Sequence, residues 1–164
     1  MTFRLDGRDG GARAGTLATA HGEVPTPVFM PVATTGSVRT LSPGELEEAG
    51  ALALIANSWS LMVRPGVGHV EEAGGLHAFM RWRRALFTDS GGFQTIKKGF
   101  LLRRTDEGLV FRHPVTGEAH TLTPEGVMDV ESRLGADVAM VLDDCPPAGA
   151  ERDAVDESTR RTTE

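Results

Sequence analysis

The chain has 164 residues, 40% of them apolar and 24% charged, and a formal net charge of −6. That composition belongs to a folded globular domain with a hydrophobic core, and its acidity argues against a nucleic-acid footprint built by this chain alone. A single cysteine, Cys145, excludes an internal disulfide framework and suits a reducing, cytoplasmic compartment.

Residues 1–11 carry charges of both signs and no apolar run, which predicts no signal peptide. The first predicted element is a hairpin from Thr16 to Phe29, turning at His21-Gly22. Ser42-Pro43-Gly44-Glu45 reads as a capping box with proline in the first helical turn. The helix is expected to reach Ala49, stop at Gly50 and feed an apolar strand from Ala51 to Ala56, ending at Asn57. The nearly uncharged stretch 50–63 around it is too short and too polar to span a bilayer. Ala85 to Phe87 is another short apolar segment, leading into Thr88 and Asp89.

Leu109–Arg112 and Ala119–Leu122 predict a second hairpin, with Thr116-Gly117 near its turn. Thr123-Pro124-Glu125 then opens a helix with the same cap-and-proline logic; Val127, Val130 and Leu134 share one face and Gly135 ends it. Val138 to Leu142 follows as a buried strand ending at Asp143, and the polar stretch from Glu151 reads as helical. Strands fed by helices and buried on both faces predict a parallel α/β sheet with antiparallel pieces attached. No linker or low-complexity run divides the chain, so residues 1–164 are read as one unit.

Three predicted strands end in polar residues: Asn57, Asp89 and Asp143. Singly, each reads equally well as a loop or helix cap. Together they point to the C-terminal rim of a parallel sheet, where chemistry collects. Around Asp89 the chain reads Thr88-Asp89-Ser90-Gly91-Gly92-Phe93-Gln94. An acid at a strand end, two glycines and an aromatic ring can hold a flat heterocycle, the ring stacking while the carboxylate accepts N–H bonds. The same Asp-Ser-Gly-Gly also makes a good turn.

The segment resembles the TDSGGFQ signature of tRNA-guanine transglycosylases, and five more segments resemble that family in the same order. These are Thr26-Pro27-Val28-Phe29-Met30-Pro31-Val32, Leu61-Met62-Val63-Arg64-Pro65-Gly66, Gly74-Gly75-Leu76-His77-Ala78-Phe79-Met80, Leu122-Thr123-Pro124-Glu125 and Asp143-Asp144-Cys145-Pro146-Pro147. The resemblance implies the N-terminal part of an irregular (β/α)8 barrel with inserted antiparallel strands. It further implies exchange of the wobble guanine of tRNA for a 7-deazaguanine, of the aminomethyl (preQ1) type by default, in queuosine biosynthesis. The exchange runs through a covalent ribosyl-enzyme, with the logic of a retaining glycosidase.

By the same resemblance, Asp89 corresponds to the proton-shuttling aspartate and Asp143 to the acceptor for N1–H and the 2-amino group of the base. Phe93 corresponds to the stacking aromatic, Ser90 and Cys145 to pocket-lining positions, and Asn57 and Val32 to positions near the ribose and its flanking nucleotide. The plainer readings are that Cys145 is a small buried residue, Phe93 core, and His77 structural at a helix start.

Two departures stand out. Trp59-Ser60 replaces the family's Tyr-His pair, and Asp144 stands where the family more often has Glu. The family's covalent nucleophile, an aspartate on a later strand, has no counterpart, and one cysteine cannot supply its zinc site of three cysteines and a histidine. No metal ligands are therefore assigned in this chain. The resemblance also implies a homodimer when full length. Read as half a barrel with open edges, the isolated chain is expected to be poorly stable and inactive. Other readings are a relative acting on DNA, or a non-catalytic accessory subunit, which need not keep both pocket acids.

Overall fold

The computed structural model describes residues 1–92 and 100–163. Its order is β1 (Thr2–Asp9), β2 (Ala12–Thr19), β3 (Gly22–Thr26), α1 (Pro43–Glu48), β4 (Ala53–Asn57), α2 (Ser58–Val63), α3 (Val67–Glu72), α4 (Leu76–Met80), β5 (Ala85–Asp89), β6 (Leu101–Thr105), β7 (Gly108–Arg112), β8 (Ala119–Leu122), α5 (Pro124–Leu134), β9 (Val138–Ala139) and α6 (Arg152–Thr163). Among the described residues the strands form three sheets: the antiparallel meanders β1-β2-β3 and β6-β7-β8, and the parallel sheet β4-β5-β9. The expected α/β class is present; no closed barrel is seen among the described residues.

The parallel sheet positions the site. β4 and β5 pair in register from Ala53 with Ala85 to Asn57 with Asp89, and a bridge from Val32 to Ile55 extends the sheet on the other side of β4. Every residue of β4 and β5 is buried or half-buried, as a parallel sheet covered on its faces requires. Leu54 and Leu86 pack with Leu46, Leu61, Val70, Leu76, Trp82 and Leu134, so α1 to α5 share one core against the sheet. At the opposite end of the strands, Val24 of β3 packs on Ala53 and Ala85. The first meander thus seats against the N-terminal ends of β4 and β5, leaving their C-terminal tips to chemistry.

The helix starts follow their sequence signals. Ser42 and Glu45 form the reciprocal capping box of α1, and the Thr123 hydroxyl accepts from Gly126 N–H (3.0 Å) at the start of α5. Gly135 ends α5 in the left-handed conformation. The second hairpin and the C-terminal helix also lie where expected.

Several elements differ. β1 turns the first hairpin into a meander; all of its residues are exposed, so it carries no burial period to read. β6 likewise adds a third strand to the second hairpin. The strand expected over Val138–Leu142 is only Val138–Ala139. Its partner β5 ends at Asp89, and beyond the bond from Met140 N–H to the Thr88 carbonyl (3.0 Å) there is no strand left to pair with. Met140 and Val141 are consequently exposed, while Leu142 turns back into a second core with Trp59, Leu109, Phe111, Leu122 and Val127. Among the described residues no helix is long and apolar enough to cross a membrane.

Leu54→Ala, a truncation in the main core, is expected to lower stability by about 2–5 kcal/mol, against about 1 kcal/mol for Ser42→Ala at the capping box. Urea denaturation of both variants checks the ranking.

Candidate active site

The register of β4 on β5 sets Asn57 and Asp89 side by side at the strand tips. Asn57 caps α2, its Oδ1 accepting from Ser60 N–H (2.7 Å), and this fixes its amide so that Nδ2 donates to Asp89 Oδ1. Gly91 N–H donates to the same oxygen (3.0 Å). Among the described residues Oδ2 has no hydrogen bond and remains available to a ligand. Burial raises the Asp89 pKa from its ordinary value, the Gly91 and Asn57 donors oppose the shift, and the Asp143 charge adds to it. Such a group takes and gives protons closer to neutral pH than a solvated aspartate does.

Asp143 is held from both sides. Ser90 Oγ donates to Oδ1 (2.8 Å) and Cys145 Sγ to Oδ2 (2.7 Å). Burial, then the Asp143 hydrogen bond and the charges of Asp143 and Asp144, push the Cys145 thiol up to about 12. The sulfur therefore keeps its proton and acts as a donor that orients the carboxylate.

The two glycines answer to close approach. A Cβ on Gly92 would lie 2.5 Å from both the carbonyl and Oδ1 of Asp143, and one on Gly91, at φ +79°, would lie 2.1 Å from Trp59 Cβ. Asp89, Ser90, Gly91, Gly92, Met140, Val141 and Asp143 together line a cavity of about 660 Å³. An acid of raised pKa and an oriented carboxylate thus face one space walled partly by apolar groups, which suits a flat ligand bearing N–H donors.

Five of the sequence candidates are held in two hydrogen-bonded sets, Asn57 with Asp89 and Ser90 and Cys145 with Asp143, and the two acids meet across the cavity. Val32 is not brought in: it is exposed, sits across β4 from Asp89, and does not line the cavity. Phe93 lies outside the described residues. His77 is the second residue of α4, its Nδ1 bonded to the Trp82 carbonyl (3.0 Å), in keeping with a structural role.

The departures have structural settings. Trp59 is buried in the second core, edge-on to Phe111, and lies outside the cavity lining. Asp144 bridges Arg104 (2.8 Å) and Arg161 (3.1 Å), tying β6 and α6 to the segment that carries Asp143.

Sequence reasoning missed Glu131. It is buried on α5 at 1% exposure beneath the strand tips, and among the described residues neither oxygen has a hydrogen-bond partner. Burial raises its pKa to about 8; the Ser58 and Thr88 hydroxyls and Met140 N–H ease the charge without reaching hydrogen-bond geometry, and the Asp89 charge pushes the other way. The signal was present, because Glu131 is four residues after Val127 and three before Leu134 on the apolar face.

The family model for queuine tRNA-ribosyltransferase matches residues 8–164. The chain belongs to this family. The queuine tRNA-ribosyltransferase of Sorangium cellulosum (strain So ce56) is 51% identical over 163 residues, covering 99% of this chain and 41% of that protein. Its counterpart in Gloeobacter violaceus is 48% identical over 162 residues, covering 99% and 43%. That in Halalkalibacterium halodurans is 47% identical over 156 residues, covering 95% and 41%. The chain therefore spans about two fifths of the length of the curated relatives it matches.

Two outcomes are expected. Cys145 will react with iodoacetamide at mildly alkaline pH far more slowly than a free cysteine, followed by mass spectrometry. Glu131 will make stability depend on pH: from the unfolded pKa near 4.5 up to the folded value of about 8, the native state keeps a proton that the unfolded chain has lost. Stability then falls as pH rises through that window, and Glu131→Gln flattens the fall in melting temperatures measured across it.

Proposed function

We propose that this chain carries the base-pocket part of a tRNA-guanine transglycosylase, which exchanges the wobble guanine of tRNA for a 7-deazaguanine of the preQ1 type. The observation that carries the reading is the pair of carboxyls, Asp89 and Asp143, facing one cavity at the ends of a parallel sheet.

In this reading the guanine enters the cavity flipped out of its stack. Asp143, its two oxygens oriented by Ser90 and Cys145, accepts from N1–H and the 2-amino group, two adjacent donors on one edge. A carboxylate of the complete enzyme, with no counterpart in this chain, attacks ribose C1′ as the bond to guanine breaks. Asp89 gives the leaving base its proton. The incoming deazaguanine returns a proton to Asp89 as its ring nitrogen attacks C1′ and displaces the carboxylate, so the balance closes over one exchange. The raised pKa of Asp89 favours both transfers. Asn57 positions Asp89, Phe93 stacks on the base, and Val32 lies toward the flanking nucleotide.

The finer architecture belongs to the same proposal. β4, β5 and β9, with the Val32 segment, are consecutive strands of an irregular (β/α)8 barrel, and the complete enzyme acts as a cytoplasmic homodimer. Its zinc site calls for three cysteines and a histidine; this chain has one cysteine, engaged with Asp143, so its residues do not fit that site and no step runs through the metal. The accessory-subunit reading is disfavoured because both pocket acids are present and oriented.

In the full-length protein, Asp89→Asn is expected to lower kcat for guanine exchange by about 10²–10⁴-fold with base affinity little changed. Asp143→Asn should instead raise KM for the base. Radiolabelled guanine incorporation into tRNA measures both; equal, small effects on kcat and KM in the two variants would overturn the role assignment.

A further inference from the structure

A second constellation of chemically active side chains lies at the opposite end of the parallel sheet. His21 on the β2–β3 turn, His77 on α4 and Asp137 just before β9 bring one imidazole nitrogen each and a carboxylate oxygen to within 4.8 Å of one another. His21 Nδ1 is 2.9 Å from Asp137 Oδ1, and His77 Nε2 is 3.3 Å from Oδ2. The Asp137 side chain is 1% exposed.

The surroundings orient the three groups as ligands. His77 Nδ1 faces the Trp82 carbonyl, which only accepts, so this nitrogen carries the hydrogen. In the neutral ring Nε2 is then a bare lone pair. It is buried, has no hydrogen-bond partner among the described residues, and lies 3.3 Å from a carboxylate oxygen, an arrangement that repels unless a cation lies between them. Asp137 Oδ2 is itself fixed by Leu86 N–H (2.9 Å). A ring N–H held by a backbone carbonyl and a carboxylate held by a backbone N–H are the outer contacts that metal-binding histidine and aspartate use. The two imidazoles stack at 3.6 Å and 22°.

We propose that His21, His77 and Asp137 form a binding site for a zinc-class divalent metal ion that pins the β2–β3 turn to α4 and the start of β9. Two imidazoles and one carboxylate are a borderline donor set, suited to zinc or cobalt rather than calcium or magnesium. His21 and His77 line a cavity of about 600 Å³ together with Arg81 and Arg83, whose charges would favour an anion beside the metal. The site is independent of the base pocket and chemically distinct from a thiolate zinc site.

The test compares metal content and cobalt spectra of the purified full-length protein with those of His21→Gln and His77→Gln, dialysed against the metal alone. The expected result is that each variant loses one equivalent of zinc, or binds it at least about tenfold more weakly. The visible cobalt absorption of this site disappears with it, while His120→Gln, on β8 with its ring 5.3 Å from that of His113 and remote from this cluster, changes neither. Because His21 is on an exposed turn, His21→Gln remains informative even if His77→Gln misfolds, with circular dichroism as the check. Equal metal content and unchanged cobalt spectra in the parent and His21→Gln would overturn the proposal and leave a proton as the cation on Nε2.

Discussion

The candidate site depends on the in-register parallel pairing of β4 with β5. Parallel strands place residues of equal rank at equal height, so pairing Ala53 with Ala85 necessarily brings Asn57 beside Asp89. A slip of one residue would turn Asp89 to the other face and break its bond from Asn57. The burial of Leu54 and Leu86 in one core favours this register over a one-residue slip, which would turn them out of the core.

The third strand is attached by a different device. Asp137 grips Leu86 twice: its N–H donates to the Leu86 carbonyl (2.9 Å), and its carboxylate accepts from Leu86 N–H. This double contact lets a strand of two residues dock on β5 and delivers Asp143 to the cavity. From there Gly92 allows the backbone and side chain of Asp143 to approach the Asp89 loop, and Ser90 and Cys145 fix its oxygens. One end of β5 thus carries the pocket and the other the His21–His77–Asp137 cluster, with Asp137 serving both docking and cluster.

Glu131 shows the cost of building a pocket from acids. Glu131 lies close enough to Asp89 for the two charges to repel. Burial and mutual repulsion favour the protonated form of Glu131, so it behaves as a neutral polar group beneath the rim. Its influence on Asp89 is electrostatic and grows only when it ionises.

Much of the fold was legible because its signals are local. The capping box at Ser42, the Thr123-Pro124 start and the Gly135 stop each depend on a few neighbouring residues, and the polar tips Asn57 and Asp89 follow from where apolar runs end. β1 and β6 were not legible, since strands without a buried face leave no alternation. The excess length expected of β9 came from reading apolarity as pairing, when Met140 and Val141 have no strand beside them. In the site, the sequence by itself determined which chemical groups exist and, through its motifs, the family. Only the tertiary structure decided that Asn57 bonds Asp89, that Ser90 and Cys145 bond Asp143, that both acids face one cavity, that Val32 stands apart, and that His21 and His77 meet at Asp137. Those contacts join residues remote in the chain, and their geometry is set by strand register and core packing rather than by local preference.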